Sequence, residues 1–399
     1  MPPRSQITPA PTAEAALLIR CCAPSADNED HDGDAPLAPD FDWPRFIALA
    51  ERNAVVPLVA RWAAAAPPER IPPAAKRTIK ISGEACALRA ARLTDDLLEI
   101  LDWFSGIGID ALAFKGPVLG MVAYGDAGLR SFTDLDLLVP SSRVKDAGEL
   151  LISHGFRCRE FNPKFLETRF FSDDELVFTR AHDMLHVDLH WGLLPDFYPF
   201  AADPESLWKR AVEVPLGAGR VQTLGYEDLL LFLCAHAAKH GWNAFNRIAD
   251  LAYLCHSHRE LDWDFVLAEA ARLGSRRILF LGLQLAHSLL RAPLPANVLA
   301  MADNDPKVAR LAAVVTRRLL RRQPPYDGPF AEWGVGLSSV EGLRGRARYC
   351  WYRVMAPKLT DGALLPLPRG LFPLYYVVRP LLLAIKHRGA FFAPRAATK

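Results

Sequence analysis

FKGPVLGMVAYGDAGLRSFTDLDLLV, residues Phe114 to Val139, is the stretch on which the reading of this chain turns. It ends in two aspartates one residue apart, Asp134 and Asp136, inside a run that otherwise reads as a buried strand. Side chains alternate across a strand, so the two carboxylates are predicted to share a face. Two like charges on one face of an apolar strand are costly unless something neutralises them. A divalent cation is the usual neutraliser, and hard oxygen ligands select Mg²⁺ or Mn²⁺. The plainer alternative is an exposed edge strand whose aspartates only discourage aggregation.

Upstream, Ala111 to Lys115 is strand-like and Pro117 to Tyr124 is helix-like, with Gly116 at the junction. Pro is well tolerated in a first helical turn. Glycine there lets a polyphosphate approach the backbone, and free N–H groups at a helix N-terminus favour anions. Lys115 adds a positive charge. Arg130-Ser131, just before Asp134, can reach the same phosphates through a forked guanidinium. Two alternatives stay open: Lys115 as a surface lysine at a strand end, and Arg130 in a salt bridge to Asp126 or Asp134.

Metal-dependent phosphoryl or nucleotidyl transfer uses carboxylates that fix two cations about 3.5–4 Å apart. Two carboxylates seldom suffice, so a third is expected from a neighbouring strand. His186-Val187-Asp188-Leu189-His190-Trp191 supplies it. There Asp188 shares a face with His186 and His190, and Val187 and Leu189 face the other way.

At 399 residues the chain can hold two domains, or one with an extension. Its hydrophobic content of 51% and charged content of 23% are those of a globular protein. A net charge of +2 gives no global field for nucleic acid or for an anionic membrane, and no nucleic-acid partner is expected. The seven cysteines form no CxxC pair and no zinc spacing, so a reduced, cytoplasmic setting is expected. No signal peptide and no spanning segment is read.

The chain divides into four parts. Residues 1–40 read as a leader, a short helix (Ala13 to Cys21) and an acidic loop (Ser25 to Pro39). Residues 41–105 read as helical, with Asp42 capping one helix and Pro72-Pro73 opening a long one. Residues 106–225 interleave strands and helices. Strands are predicted at Phe156 to Glu160, Glu175 to Ala181 and His186 to Trp191, and a helix at Ser141 to His154. Residues 226–399 read as helical, with loops at Gln323 to Gly336 and Pro357 to Arg369. Asp262-Trp263 opens a helix that echoes the one after Asp42-Trp43, either as two similar caps or as an old duplication.

Lys-Gly, then Gly-Leu-Arg, then Asp-Leu-Asp-Leu-Leu-Val, then Val-Asp-Leu-His-Trp, in that order, resembles the uncharacterised bacterial nucleotidyltransferase family of the DNA polymerase beta-like superfamily. The likeness continues in CAHAAKHGWNAFNRIADLAYL (Cys234 to Leu254) and in WPRFIALAERNAVVPL, and covers about residues 14 to 388. It implies an α+β fold: a small mixed sheet with flanking helices, then a mostly helical substrate or partner domain. It implies that Asp134 and Asp136 hold metal with the nucleoside triphosphate, and that Asp188 serves one metal and helps activate the acceptor hydroxyl. One departure stands out. The superfamily usually carries a Gly-Ser turn facing the phosphates, and here Lys115-Gly116 takes that place without the serine.

His236 and His240 lie at i and i+4 on a predicted helix, a spacing that can bind zinc, but no HExxH is present. On the resemblance, His236, Lys239, His240, Asp250 and His190 are substrate-side candidates. There is no GxSxG, no P-loop and no GxGxxG. The apolar-then-basic run 371–388 is read as packed on the helical domain rather than resting on a membrane surface. The resulting expectation is a Mg²⁺- or Mn²⁺-dependent enzyme that moves a nucleoside monophosphate from a nucleoside triphosphate. ATP is the expected donor, and a hydroxyl on a small molecule or protein is the acceptor. The alternative is a nucleotide- or partner-binding accessory protein that has lost catalysis on the same fold.

Overall fold

Pro73 in the first turn and the Ala-, Leu- and Arg-rich run from Glu84 onward favour a helix of 34 residues, which continues through Ser82-Gly83. The computed structural model describes residues 11–24, 40–168, 170–195, 198, 200, 202–320 and 328–392, with side chains left out for 328–333 and beyond 385. The leader and the acidic loop predicted at Ser25 to Pro39 lie outside the described residues.

Among the described residues three α-helices precede the long one: α1 (Ala13–Cys21), α2 (Trp43–Arg52) and α3 (Val56–Ala65), with α4 itself at Pro73–Gly106. The mixed segment follows. It runs β1 (Leu112–Ala113), α5 (Gly116–Tyr124), β2 (Asp134–Leu138), α6 (Val144–Ser153), β3 (Phe156–Arg157), α7 (Pro163–Leu166), β4 (Glu175–Arg180), β5 (Leu185–His190), α8 (Pro204–Lys209), β6 (Val212–Leu216) and β7 (Gly219–Thr223). Helices complete the chain: α9 (Tyr226–Lys239), α10 (Asn246–Ser257), α11 (Trp263–Arg272), α12 (Arg276–Leu290), α13 (Ala296–Asp303) and α14 (Pro306–Leu319). After these come α15 (Gly328–Ser339), α16 (Leu343–Met355), α17 (Leu359–Leu364) and α18 (Tyr375–Phe392).

The α+β class is as expected. Five strands form one mixed sheet in the order β1-β2-β5-β4-β3, and β6-β7 is a separate hairpin. Among the described residues only β2 and β5 are parallel; β1 pairs with β2, β4 with β5 and β3 with β4 in antiparallel fashion. Leu135, Leu137, Val187 and Leu189 are buried, as central strands require. α5 packs against β2 and also against α10, which contacts α9 and α12. One hydrophobic core therefore runs from the sheet into the helical region.

The predicted caps form. Asp42 Oδ1 accepts from Arg45 N at 3.0 Å, and Asp262 Oδ1 accepts from Phe265 N at 2.9 Å. Four predictions need correction. The loop expected at Gln323 to Gly336 contains the start of α15, and the loop expected at Pro357 to Arg369 contains α17. α17 forms despite its Gly because the Asp361 carboxylate accepts from Lys358 N at 2.9 Å. The strand expected at Phe156 to Glu160 stops at Arg157, and the β6-β7 hairpin was not foreseen. Among the described residues no helix is long and apolar enough to cross a membrane.

Candidate functional site

β2 and β5 run in register, and the pairing decides what the carboxylates face. Asp134 stands opposite His186, Asp136 opposite Asp188, and Leu138 opposite His190. Paired residues share a face, so the alternation read from each strand now merges into one polar surface. β4 extends it: Glu175 pairs with His190, Val177 with Asp188 and Thr179 with His186. The Thr179 hydroxyl and His186 Nδ1 are 3.0 Å apart.

Asp136 is the buried centre, only 3% exposed. One of its oxygens, Oδ1, is engaged by Lys115 Nζ in an ion pair and by His190 Nε2 at 3.3 Å. The other, Oδ2, is buried with no hydrogen-bond partner. Burial alone would raise the Asp136 pKa, but Lys115 and His190 hold it well below the usual carboxylate range. The same partnership raises His190 and Lys115 against the opposing effect of burial. Asp188 makes no close ion pair among the described residues. Burial, followed by the Asp136 and Asp134 charges, pushes it up to about 7, though His190 and Lys115 pull it down from a distance. His190 Nδ1 lies 3.6 Å from Glu175 Oε2, too far for a hydrogen bond.

One ligand atom from each of Asp136, Asp188 and His190 lies within 4.8 Å of the others. Two carboxylates, one with an orphaned buried oxygen, and an imidazole are a donor set that suits a divalent cation. Asp134 shares their face but lies outside that group, half-buried at the N-terminal end of β2.

Because ionising Asp188 opposes folding, the ion-free protein should lose stability as pH rises from about 4 to about 7, by up to ~1.4 kcal/mol per pH unit. Below that window the group is protonated in both states and contributes nothing. Urea unfolding across the window checks this, and Asp188→Asn should flatten the profile.

Gly116 supports the site through its backbone. Its φ is +55°, and a Cβ built there would lie 3.1 Å from the Asp134 carbonyl oxygen. Gly116→Ala combines that strain with the close approach, so it should cost about 1–2 kcal/mol. Thermal unfolding with and without nucleotide would show whether the loss is confined to the site.

The sequence matches the family described as "Uncharacterised nucleotidyltransferase" over residues 39–291. The chain belongs to this family. No curated protein and no solved structure matches it.

In this member of the nucleotidyltransferase family the other expected site residues are distributed unevenly. Arg130, expected on the phosphate side, and Asp250, expected on the substrate side, are each other's partners. Arg130 Nε donates to Asp250 Oδ1 at 3.0 Å and an Nη donates to Oδ2 at 3.1 Å, with both side chains buried. Tyr124 OH also donates to Asp250 Oδ1, at 2.8 Å. Burial alone would lower the Arg130 pKa, but the Asp250 pair raises it. This forked pair joins the β2 approach to α10. Ser131 is half-buried in the same approach.

α9 reaches the carboxylate face with Lys239, whose Nζ lies 3.7 Å from Glu175 Oε1. Burial opposes ionisation of Glu175, but Lys239 and His190 bring it down to about 2. His236 packs on Phe232, which meets Phe114 edge-on at 5.1 Å, and Phe114 meets His190 at the same separation. Burial and the Lys115 charge push His236 well below the ordinary histidine value; burial and Arg247 bring His240 to about 3. Both therefore favour the neutral imidazole at pH 7.

Glu175 and Asp174 were missed in the sequence. The signal was present: the run Asp173-Asp174-Glu175 opens a strand predicted on other grounds. Asp174 is buried, its Oδ2 has no hydrogen-bond partner, and its backbone carbonyl accepts from Trp191 N beside His190. It lines a cavity of about 430 Å³ whose walls include Phe170, Leu194, Tyr352 and Tyr376. The cavity is walled by Trp191 and Gly192 after β5, by Val144 of α6 and by residues of the C-terminal helices.

Proposed function

We propose that this protein moves a nucleoside monophosphate from a nucleoside triphosphate, with ATP as donor, to a hydroxyl acceptor on a small molecule or protein, releasing pyrophosphate. The observation that carries the reading is the in-register placement of Asp136 and Asp188 on adjacent parallel strands, with Asp134 on the same face. Residues 106–225 are the catalytic core in this reading, and 226–399 supply the substrate side.

Asp136, Asp188 and His190 would hold Mg²⁺ or Mn²⁺, with Asp134 at the open end. When bound, such ions neutralise phosphate charge and act as Lewis acids. The chain's own residues do the rest. The first turn of α5, with Gly116 close to the Asp134 backbone, favours the triphosphate anion. Lys115 can exchange its contact with Asp136 for a phosphate oxygen. Asp188, serving the metal, would also accept the proton of the acceptor hydroxyl. The freed oxygen attacks the α-phosphorus, the bond from that phosphorus to the bridging oxygen breaks, and pyrophosphate leaves. The cavity lined by Asp174 is the acceptor's side.

A second reading has one observation in its favour. Lys115 and His190 already satisfy one oxygen of Asp136, so this face is tolerable without an ion. A nucleotide- or partner-binding protein without catalysis would need only that. Incubation with labelled ATP, Mg²⁺ and cell extract, followed by mass spectrometry for a monophosphate adduct, separates the two. Binding of ATP without product across many acceptors would favour the accessory reading. Turnover with water alone would indicate a phosphohydrolase.

A further inference from the structure

Eleven of the nineteen large apolar side chains exposed among the described residues lie in residues 343–385. The run 371–388, expected to pack on the helical domain, belongs to this region, and its Phe372 ring packs on Phe165, Phe170 and Phe171 of the mixed segment. Phe372 and Tyr375 are buried; Leu371 and Leu374 stand exposed in the short segment before α18, and Val377, Leu381 and Ile385 stand exposed on α18 itself at spacings of four residues. That spacing is one face of a helix. α16, packed against α18, adds Leu343 at 83% exposure and Trp351 at 57%.

The segment is also basic. Residues 343–385 contain seven Lys and Arg against a single acid, Asp361, in a chain that totals +2. Two of the cations are paired with acids outside the segment, Lys358 with Asp173 at 3.5 Å and Arg369 with Glu167 at 2.9 Å. Asp361 is itself used internally, accepting from Arg379 Nη1 at 2.8 Å. Arg344 and Arg348 are exposed on α16 beside the apolar residues.

We propose that α16 and α18 dock this protein onto an anionic lipid surface, with the apolar side chains entering the headgroup boundary and the arginines pairing with lipid phosphates. Apolar stripes flanked by exposed arginines are the pattern of an interfacial helix, and none of these helices is suited to spanning. A second copy of the chain is the poorer occupant, because two such faces would bring like charges together. The inference is independent of the nucleotide chemistry, since no residue of the carboxylate face takes part. Docking would also bring Tyr352 and Tyr376, which wall the cavity beside Asp174, close to the lipid layer.

Flotation of the full chain with phosphatidylcholine vesicles, with and without phosphatidylglycerol at a quarter of the lipid, tests this. Binding should be at least ~10-fold stronger on the anionic vesicles and should weaken as salt is raised. Leu381→Glu with Val377→Glu should lower it by roughly 10-fold or more. Arg344→Gln with Arg348→Gln keeps the apolar stripe and should remove most of the preference for anionic lipid. Equal binding to both vesicles, no binding, or indifference to both variant pairs would overturn the proposal. So would a dimer in sedimentation velocity that Leu381→Glu dissolves.

Discussion

Asp134→Asn is expected to reduce nucleotide transfer by roughly 10³-fold while leaving the melting temperature close to wild type. The loss corresponds to about 4 kcal/mol of transition-state stabilisation, the scale at which single charged groups act on phosphoryl chemistry. The fold should survive because Asp134 is half-buried at the end of β2, not at its centre. Asp136→Asn should be equally inactive but less stable, because it leaves the Lys115 ammonium buried without its anion. Transfer of label from ATP, read beside calorimetric melting, checks both. Wild-type turnover in Asp134→Asn would remove this residue from the chemistry.

Arg130→Ala or Asp250→Ala should each destabilise the protein by about 3–5 kcal/mol, since each leaves a buried charge unpaired. Replacing both together, Arg130→Met with Asp250→Leu, should recover much of that loss, because an apolar pair has no desolvation penalty. Urea unfolding of the three variants is the measurement. If the single variants cost less than about 1 kcal/mol, the pair is solvated and Arg130 is available to phosphate after all.

The two outcomes show where the sequence was legible. Asp134 and Asp136 could be placed on one face from the strand alone, because side-chain alternation is a local property. Asp188 followed from the same rule applied to HVDLHW. Glu175 was harder, because its place depends on β4 pairing with β5, which gives Glu175 His190 as a neighbour. The partner of Arg130 was out of reach of the sequence for a related reason. Its nearest acids in sequence are Asp126 and Asp134, but its partner is Asp250, brought in where α10 packs against α5. A guanidinium that is buried needs a matched carboxylate, and only the packing decides which one arrives.

The sequence by itself determined the α+β class, the DLDLLV strand with its paired aspartates, the Asp188 strand and the kinship with nucleotidyltransferases. These rest on periodicity and motif order, both of which are local. Tertiary structure decided the parallel register that sets Asp136 opposite Asp188, the cation that neutralises Asp136, and the withdrawal of Arg130 and Asp250 into the core. It also decided that Phe372 and Tyr375 are buried while Val377, Leu381 and Ile385 on α18 stay exposed. Those features depend on which distant groups meet once the core closes. The free energy of burying a charge or an apolar face is set by its neighbours in space, not in sequence.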